Sequence, residues 1–543
     1  MEITFRNLTK DLVAKRLVRW ALWALASFLI MNPGAASFAA GSGGPVPPGL
    51  YDLYDEGAYN RFVNYVGGYS LPVDKSLRVD MSIAGVCAVL ESPEKRIEIF
   101  NQKLGGGVRR SDYLTYSNGF LKNWTDHYLE FQGTQELGGR SIYVTQWSRA
   151  KLSRVNSDKN FYVCLDIPLA GSEIVTVLVS ATAPIYLNGG YAYLAEGFQE
   201  IDKTAQGYIR KAGLPNAAAR DWNDETKAFY QRYFGEESQL TWGIFEPRTP
   251  FDFSHLQEFE KLADYTFPII VNYSSFENTQ KHGDLENRLN GAYDAGRTLE
   301  LTLQTVAVDS GRSNMVYDVL NGVYDEFLRN YAQTVADFGH PVLFRLGNEM
   351  NGDWCPYSGY NTSRDPQLFI EFYRYVYSFF AQAYAQNVIW VWNPNGKSFP
   401  DFTWNHELMY YPGDDYIDVV GMTAYNTGNY YPGETWKSFA ELYDGIYYPY
   451  LARYGKPLMI TEFASATAGG DKNQWVTDMF SQMRQYDKIK VAVWWDGADY
   501  DNGQTARSYY IDDPAVLVET FRRYLRGGGF EIEDISWKQE VFV

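Results

Sequence analysis

Read on its own, the chain predicts an α/β protein in which a (β/α)8 TIM barrel follows an N-terminal antiparallel β-sandwich. Three observations carry this. Between residues 240 and 530, eight short apolar runs alternate with segments of helical period, as a parallel barrel wrapped in helices requires. Between residues 45 and 185, polar and apolar positions alternate with period two, with Gly, Asn, Asp and Ser breaks between segments, the pattern of a two-sheet sandwich. Finally, 543 residues with 45% hydrophobic and 21% charged side chains are enough for two to four domains, each with its own core.

In chain order, residues 1–39 read as an export signal. Lys10, Lys15, Arg16 and Arg19 precede the apolar stretch Trp20 to Met31, and a small-residue tail offers Ser37-Phe38-Ala39 for cleavage; retention of this segment as an anchor is the rival reading. The sandwich runs begin at Ser76, Arg96, His127, Ser141, Asn160 and Glu173. A change to helical period predicts a helical connector over residues 190–236, interrupted at Gly213-Leu214-Pro215. The barrel strands are expected at 242–246, 267–273, 299–305, 342–349, 388–393, 417–425, 458–463 and 491–496, and their near-continuous apolar character suits a parallel sheet covered on its outer face. The stretch between the fifth and sixth runs shows no clean helix.

Composition narrows the partners. A net charge of −18 repels phosphate backbones and anionic headgroups, so neither nucleic acid nor a membrane beyond the N-terminal segment is expected. With 44 Tyr, 32 Phe and 15 Trp, the chain is rich in amphipathic rings suited to flat, hydroxylated partners such as sugars. Five histidines, with no HExxH and no Cys/His cluster, leave no metal site or cofactor expected, and the GxGxxG, P-loop and GxSxG signatures are missing. Two readings stand for the cysteines: a Cys87–Cys164 disulfide with Cys355 left over, or three buried thiols.

A TIM barrel builds its site at the C-terminal ends of its strands. The polar residues ending the runs include Glu246, Tyr273, Asn348, Glu349, Trp392, Asn393, Tyr425, Glu462, Trp495 and Asp496. Glu349 and Glu462 end the fourth and seventh runs directly after apolar residues, where an ionisable group is costly unless it is used. Two carboxyl groups are what glycosidic cleavage needs, one to protonate the departing oxygen and one to attack the anomeric carbon. Tyr425 is placed to hold Glu462 by a hydrogen bond, and Arg345 is expected deeper, pairing with a carboxylate. Trp354 and Trp392 are candidate sugar platforms. Trp494 and Trp495 alternate across the eighth strand, so only one faces the site, and the strand-end argument favours Trp495.

The segments WGIFEP, HPVLFRLGNEMNGDW (His340 to Trp354), VVGMTAY and ITEFA together resemble family 26 glycoside hydrolases, the β-mannanase-containing family of the retaining (β/α)8 clan. The most specific part is Phe344, Arg345, Glu349, Met350, Asn351, Gly352 and Trp354. The resemblance implies Glu349 as acid/base and Glu462, in Thr461-Glu462-Phe463, as nucleophile. It also exposes a departure: Asn348 stands where the family usually has histidine, and Asn-Glu is the wider clan's arrangement, in which the asparagine binds the sugar 2-hydroxyl. That hydroxyl is axial in mannose and equatorial in glucose. The expectation is therefore a secreted or cell-surface, monomeric, endo-acting, retaining β-glycosidase of divergent type, hydrolysing a β-mannan-type polymer or a β-glucan, xylan or bacterial exopolysaccharide. The competing expectation is an exported polysaccharide-binding or scaffold protein with a degenerate site.

Overall fold

A computed structural model of the chain describes residues 46–185, 190–212, 220–276, 282–305 and 313–527; the expected export segment and the Gly213 to Pro215 break lie outside the described residues. Eleven strands precede the barrel. A small sheet is ordered β1-β2-β3-β11, from Tyr51–Asp55, Asn60–Asn64, Tyr69–Val73 and Gln199–Glu200. A larger one is ordered β4-β5-β6-β10-β9-β8-β7, with β4 Arg78–Asp80, β5 Cys87–Glu91, β6 Lys95–Lys103, β7 His127–Leu137, β8 Arg140–Arg149, β9 Phe161–Pro168 and β10 Glu173–Ala181. All their pairings are antiparallel.

The alternation along β9 shows how these layers sit. Val163, Leu165 and Ile167 pack with Phe62, Tyr69, Leu71 and Val73 of the small sheet, forming the sandwich core. The intervening Tyr162 and Cys164 join the barrel's core instead, beside Trp147. The larger sheet is thus covered on both faces, which is why its central strands read as nearly continuous apolar runs. Its barrel-side face carries a buried polar layer. Arg364, fully buried, donates to the Tyr113 hydroxyl at 2.8 Å and lies 3.7 Å from the Asp166 carboxylate, while Tyr162 donates to Asp365 at 2.9 Å. Arg149 and Asp158 form a buried two-pronged pair at 2.6 and 2.8 Å. The sandwich is therefore seated on the barrel as part of one body, and its broad sheet face is not open to a ligand. Cys87, Cys164 and Cys355 are buried free thiols, so the disulfide reading is corrected.

The connector departs from expectation. The predicted helix from Tyr191 shortens to α2, Ala192–Glu196, after α1 at Arg110–Ser117, because Leu194 and Phe198 turn into the sandwich core and the chain then adds β11 to the small sheet. True helix resumes at α3, Asp224–Phe234, capped by the Asn223 side chain accepting from Thr226 N–H at 2.8 Å. Trp222, Phe229, Tyr233 and Phe234 close the bottom of the barrel against Ile269, Leu343, Val391, Met459 and Val493.

The closed barrel comprises β12 Thr241–Phe245, β13 Ile269–Ser275, β14 Thr298–Gln304, β15 Val342–Leu346, β16 Val388–Trp392, β17 Val419–Thr423, β18 Leu458–Phe463 and β19 Ile489–Trp495. Every expected run forms a strand. The helices packed outside are α4 Ser254–Ala263, α5 His282–Asp294, α6 Met315–Leu320, α7 Asp325–Phe338, α8 Gln367–Gln382, α9 Phe439–Arg453, α10 Lys472–Met483 and α11 Leu517–Gly527. Between β16 and β17 there are only 3-10 turns, at Thr403–Asn405, Glu407–Tyr410 and Asp414–Tyr416. After β19, a hairpin of β20, Ala498–Asp501, and β21, Gln504–Ser508, rises beside the barrel mouth. Among the described residues no helix is long and apolar enough to cross a membrane.

Replacing Arg364 by Ala strands the Asp166 carboxylate in the joint. Loss of one partner of a buried pair costs about 3–5 kcal/mol. Calorimetry is expected to show one transition shifted down as a whole, whereas an unshifted barrel transition beside a separate, weaker sandwich transition would contradict a shared body.

Candidate active site

The geometry of the barrel mouth starts from Arg345. On β15 it points inward at full burial, a position no guanidinium can occupy without anionic or strongly polar partners. It has several: Glu300 of β14 at 3.1 Å, the Thr302 hydroxyl at 2.8 Å, the Asn393 side-chain oxygen at 3.0 Å and Glu462 of β18 at 2.7 Å. Its cation also stands 5.5 Å from the centre of the Tyr273 ring. Burial drives the Glu300 carboxyl up to about 7, against the opposing pull of Arg345.

Glu462 reaches this cluster through an irregularity. On β18, Met459 faces the barrel interior and Ile460 faces the helices, and strict alternation would send Glu462 outward with Ile460. The register shifts between Ile460 and Phe463 against β19, and between Met422 and Thr423 on the other side, and this extra residue turns Glu462 into the mouth. Three donors then hold the buried carboxylate: Arg345 and the Tyr273 hydroxyl at one oxygen, the latter at 2.7 Å, and the Tyr425 hydroxyl at the other at 2.8 Å.

Glu349 stands across the mouth. The chain leaves β15 through Gly347 and Glu349, both in the left-handed region at φ of +57° and +55°. For a glutamate this backbone costs about 1–3 kcal/mol, and it is held by the Glu349 N–H donating to the Asn393 carbonyl at 2.7 Å. The Trp354 indole N–H donates to the Glu349 carboxyl at 3.2 Å. Burial first, and the Glu462 charge second, raise the Glu349 carboxyl to about 8. The two carboxyl groups thus differ in surroundings: one is gripped by a cation and two hydroxyls, the other is held mainly in its neutral form at pH 7 and is placed to donate a proton.

The remaining candidates separate clearly. Asn348 is buried beside Glu349, with its side-chain oxygen accepting from Tyr357 at 3.3 Å and its carbonyl from the same hydroxyl at 2.7 Å. Trp495 is half-buried, stacked on Phe245 with ring centres 5.2 Å apart, and meets Tyr425 edge-on at 6.2 Å. Trp354 is 45% exposed. Three expectations are corrected. Trp392 is fully buried and packs on Tyr411 and Tyr454 outside the barrel, so it is no sugar platform. Trp494 likewise packs on Phe463, Trp475 and Phe521 among the helices. Asn393 is fully buried beneath the mouth, where it braces Arg345 and bonds Thr423 at 3.0 Å, out of reach of a ligand. Sequence reasoning missed Glu300 and Tyr357 and gave no role to Tyr273. Glu300 carried a usable signal, an acid in the middle of the apolar strand LELTL, and Tyr273 ended its strand.

Among the described residues, Glu246, His255 and Asp496 gather possible metal-ligating atoms within 4.8 Å of one another at the ends of β12 and β19. Both Glu246 oxygens already accept from Arg248, at 2.9 and 3.0 Å, and Asp496 accepts from the Ile511 N–H at 2.7 Å.

Comparison with known proteins follows the same region. Residues 278–494 match the model of glycosyl hydrolase family 26. Endoglucanase H of Acetivibrio thermocellus is 35% identical over 215 residues, which are 39% of this chain and 23% of that protein. A mannan endo-1,4-β-mannosidase of Bacillus subtilis strain 168 is 30% identical over 143 residues, 25% of this chain and 34% of that protein. The chain thus spans about a quarter to a third of the length of these curated relatives. The catalytic domain of an endo-β-1,4-mannanase from Bacillus sp. JAMB-750 aligns over 62% of this chain and 98% of its own, at 17% identity and a TM-score of 0.45.

The Glu349 carboxyl is expected to titrate near pH 8 by ¹³C NMR of glutamate-labelled protein. Removing the Glu462 charge with Glu462→Gln should move that midpoint down, because a repulsive neighbour is lost; an unmoved midpoint would show that the two groups do not share one site.

Proposed function

We propose that the barrel of this chain, whose residues 278–494 match the model of glycosyl hydrolase family 26, hydrolyses a β-linked polysaccharide with retention of configuration, Glu349 serving as acid/base and Glu462 as nucleophile. The observation that carries this reading is the asymmetry of the two carboxyl groups. Glu462 is presented by Arg345, Tyr273 and Tyr425 as a fixed anion, while Glu349 keeps its proton up to about pH 8.

In the first step the Glu349 proton passes to the glycosidic oxygen as the bond from anomeric carbon to that oxygen breaks, and a Glu462 oxygen forms the glycosyl ester. The leaving chain departs with its new hydroxyl. Glu349, now an anion, takes a proton from water; the water oxygen attacks the anomeric carbon, and Glu462 leaves as carboxylate. Arg345 and the two tyrosine hydroxyls stabilise the departing and returning charge on Glu462. The face of Trp495, backed by Phe245, offers a surface for the sugar ring being attacked.

Asn348 points to a glucose-type ring at this position. Its side-chain oxygen is committed to Tyr357, so the amide N–H₂ is the group offered to a sugar hydroxyl. An asparagine in place of histidine fits an equatorial 2-hydroxyl, and the likeness to an endoglucanase supports the same preference. Intact carboxyl groups with their supporting partners weigh against a degenerate binding protein. The basic and apolar N-terminal sequence supports export to the cell surface or beyond.

Several outcomes test this. The product of soluble β-glucan hydrolysis should appear by ¹H NMR first as the β-anomer; initial α-anomer would overturn retention. Glu349→Ala should lower kcat/KM about 10²- to 10⁴-fold on substrates with poor leaving groups, and Glu462→Ala should recover turnover with azide, giving the α-glycosyl azide. Because Glu349 must be protonated for the first step, kcat/KM should fall as pH rises through about 8. Asn348→His should shift the ratio of β-mannan to β-glucan activity upward by about tenfold, one hydrogen bond's worth of discrimination.

A further inference from the structure

The barrel domain does not end at its own rim on the Glu349 side. The loop that follows Glu349, residues 353–365, lies against the sandwich, and the contact residues there are of a kind not needed for packing alone. Tyr116, on the exposed side of α1, donates to the Asp353 carboxylate and packs against Tyr360, with ring centres 5.0 Å apart. Gly119 closes the fit: a Cβ there would meet the Tyr360 hydroxyl at 2.4 Å, so only glycine lets the turn after α1 seat that ring. The next turn is fixed to the barrel by Asp126, which accepts from the Ser313 hydroxyl at 3.0 Å and the Asn314 N–H at 2.7 Å; Asn314 in turn donates to the Pro356 carbonyl at 2.7 Å.

Along this joint, large rings face solvent. Trp354 (45% exposed) packs against Phe399 (42%) with centres 5.3 Å apart and is hydrogen-bonded to Glu349 itself; Tyr116 is 40% exposed; and Trp124, two residues before Asp126, is 77% exposed. Tryptophan at that exposure serves neither core. Other exposed rings lie elsewhere around the barrel: Tyr500 on the β20–β21 hairpin after β19, on the Trp495 side, and Phe251 and Tyr430 in the loops after β12 and β17.

We infer that the sandwich supplies a binding surface for the leaving-group side of the polysaccharide, running from Trp354 and Phe399 across the joint to Tyr116 and Trp124. The inference rests on the hydrolase reading for its direction: the acid protonates the bond to the leaving chain, and the aromatic run starts at the acid. The occupant is a neutral polysaccharide chain continuous with the one held at the carboxyl groups. Flat rings interleaved with hydroxyl and carboxylate groups match pyranose faces and their edge hydroxyls, whereas the chain's net charge of −18 and the Asp353 carboxylate disfavour an anionic polymer. The surface comes partly from residues 110–126, outside the 278–494 stretch that matches the family.

The test compares long with short substrates. Tyr116→Ala and Trp124→Ala should each lower kcat/KM about 5- to 20-fold on soluble β-glucan or β-mannan polymer, with a much smaller change on an aryl β-glycoside whose leaving group is a small phenol. Equal losses on both substrates, or no loss on polymer, would overturn the inference. The Glu349→Gln/Glu462→Gln double variant, run by affinity electrophoresis in gels containing the same polymers, separates this from the hydrolase reading. Retardation that weakens with Tyr116→Ala or Trp124→Ala supports the surface even if the wild-type chain cleaves nothing, and no retardation in either polymer counts against it. A concentration-dependent dimer in sedimentation, abolished by Trp124→Ala, would assign the rings to self-association and overturn it as well.

Discussion

A guanidinium sealed inside a barrel is the constraint around which the mouth of this protein is arranged. Arg345 has no access to water, and its charge is tolerable only because Glu300, Glu462, Thr302 and Asn393 surround it. Those partners come from β14, β18 and the end of β16, so satisfying one cation on β15 fixes the relative height of strands that are distant in sequence. Two carboxylates compete for it. Glu300, dry and deep, is raised to about 7 by its burial, against the pull of Arg345. Glu462, at the surface end of the cluster, is the one a substrate can meet.

The geometry above that cation is bought with local irregularity. A register shift turns Glu462 inward, and a left-handed backbone turns Glu349 toward it. Neither conformation is favoured in isolation, and the barrel below supplies the rigidity: an apolar interior closed at the bottom by α3 and packed outside by helices rich in Phe, Tyr and Trp. The sandwich adds a second support. Its larger sheet presses on the loop that carries Trp354 and Tyr357, the residues that touch Glu349 and Asn348, through the buried Arg364 and Asp365. Positioning of Glu349 therefore depends on a domain outside the barrel.

Much of this was legible in the residues, for a stated physical reason. Eight apolar runs, each ending in a polar side chain, located all eight strands and both carboxyl groups, because a parallel barrel buries its strands on both faces and frees only their ends. The failures come from the same rule applied without parity. Trp392 sits at a strand end but faces the helices, and a period-two pattern hidden inside a continuous apolar run does not reveal which face is which. Asn393 was recognised as a strand end, yet its side chain lies one layer below the mouth. The helix expected from Tyr191 failed because helical propensity in YAYLAEGFQEIDKTAQ is overridden by the sandwich core, which takes Leu194 and Phe198 and leaves an edge strand. Within the expected sandwich, β1 gave no signal because it is almost wholly exposed and shows no apolar run.

What most directly tests this arrangement is the site of covalent attachment. Incubation with a 2-deoxy-2-fluoro β-glycoside bearing a good leaving group, followed by peptide mass spectrometry, should place one glycosyl unit on the peptide containing Glu462, with Arg345→Ala greatly slowing its accumulation. Labelling at Glu349, at Glu300 or at no carboxylate, under conditions where the enzyme turns over substrate, would contradict the account.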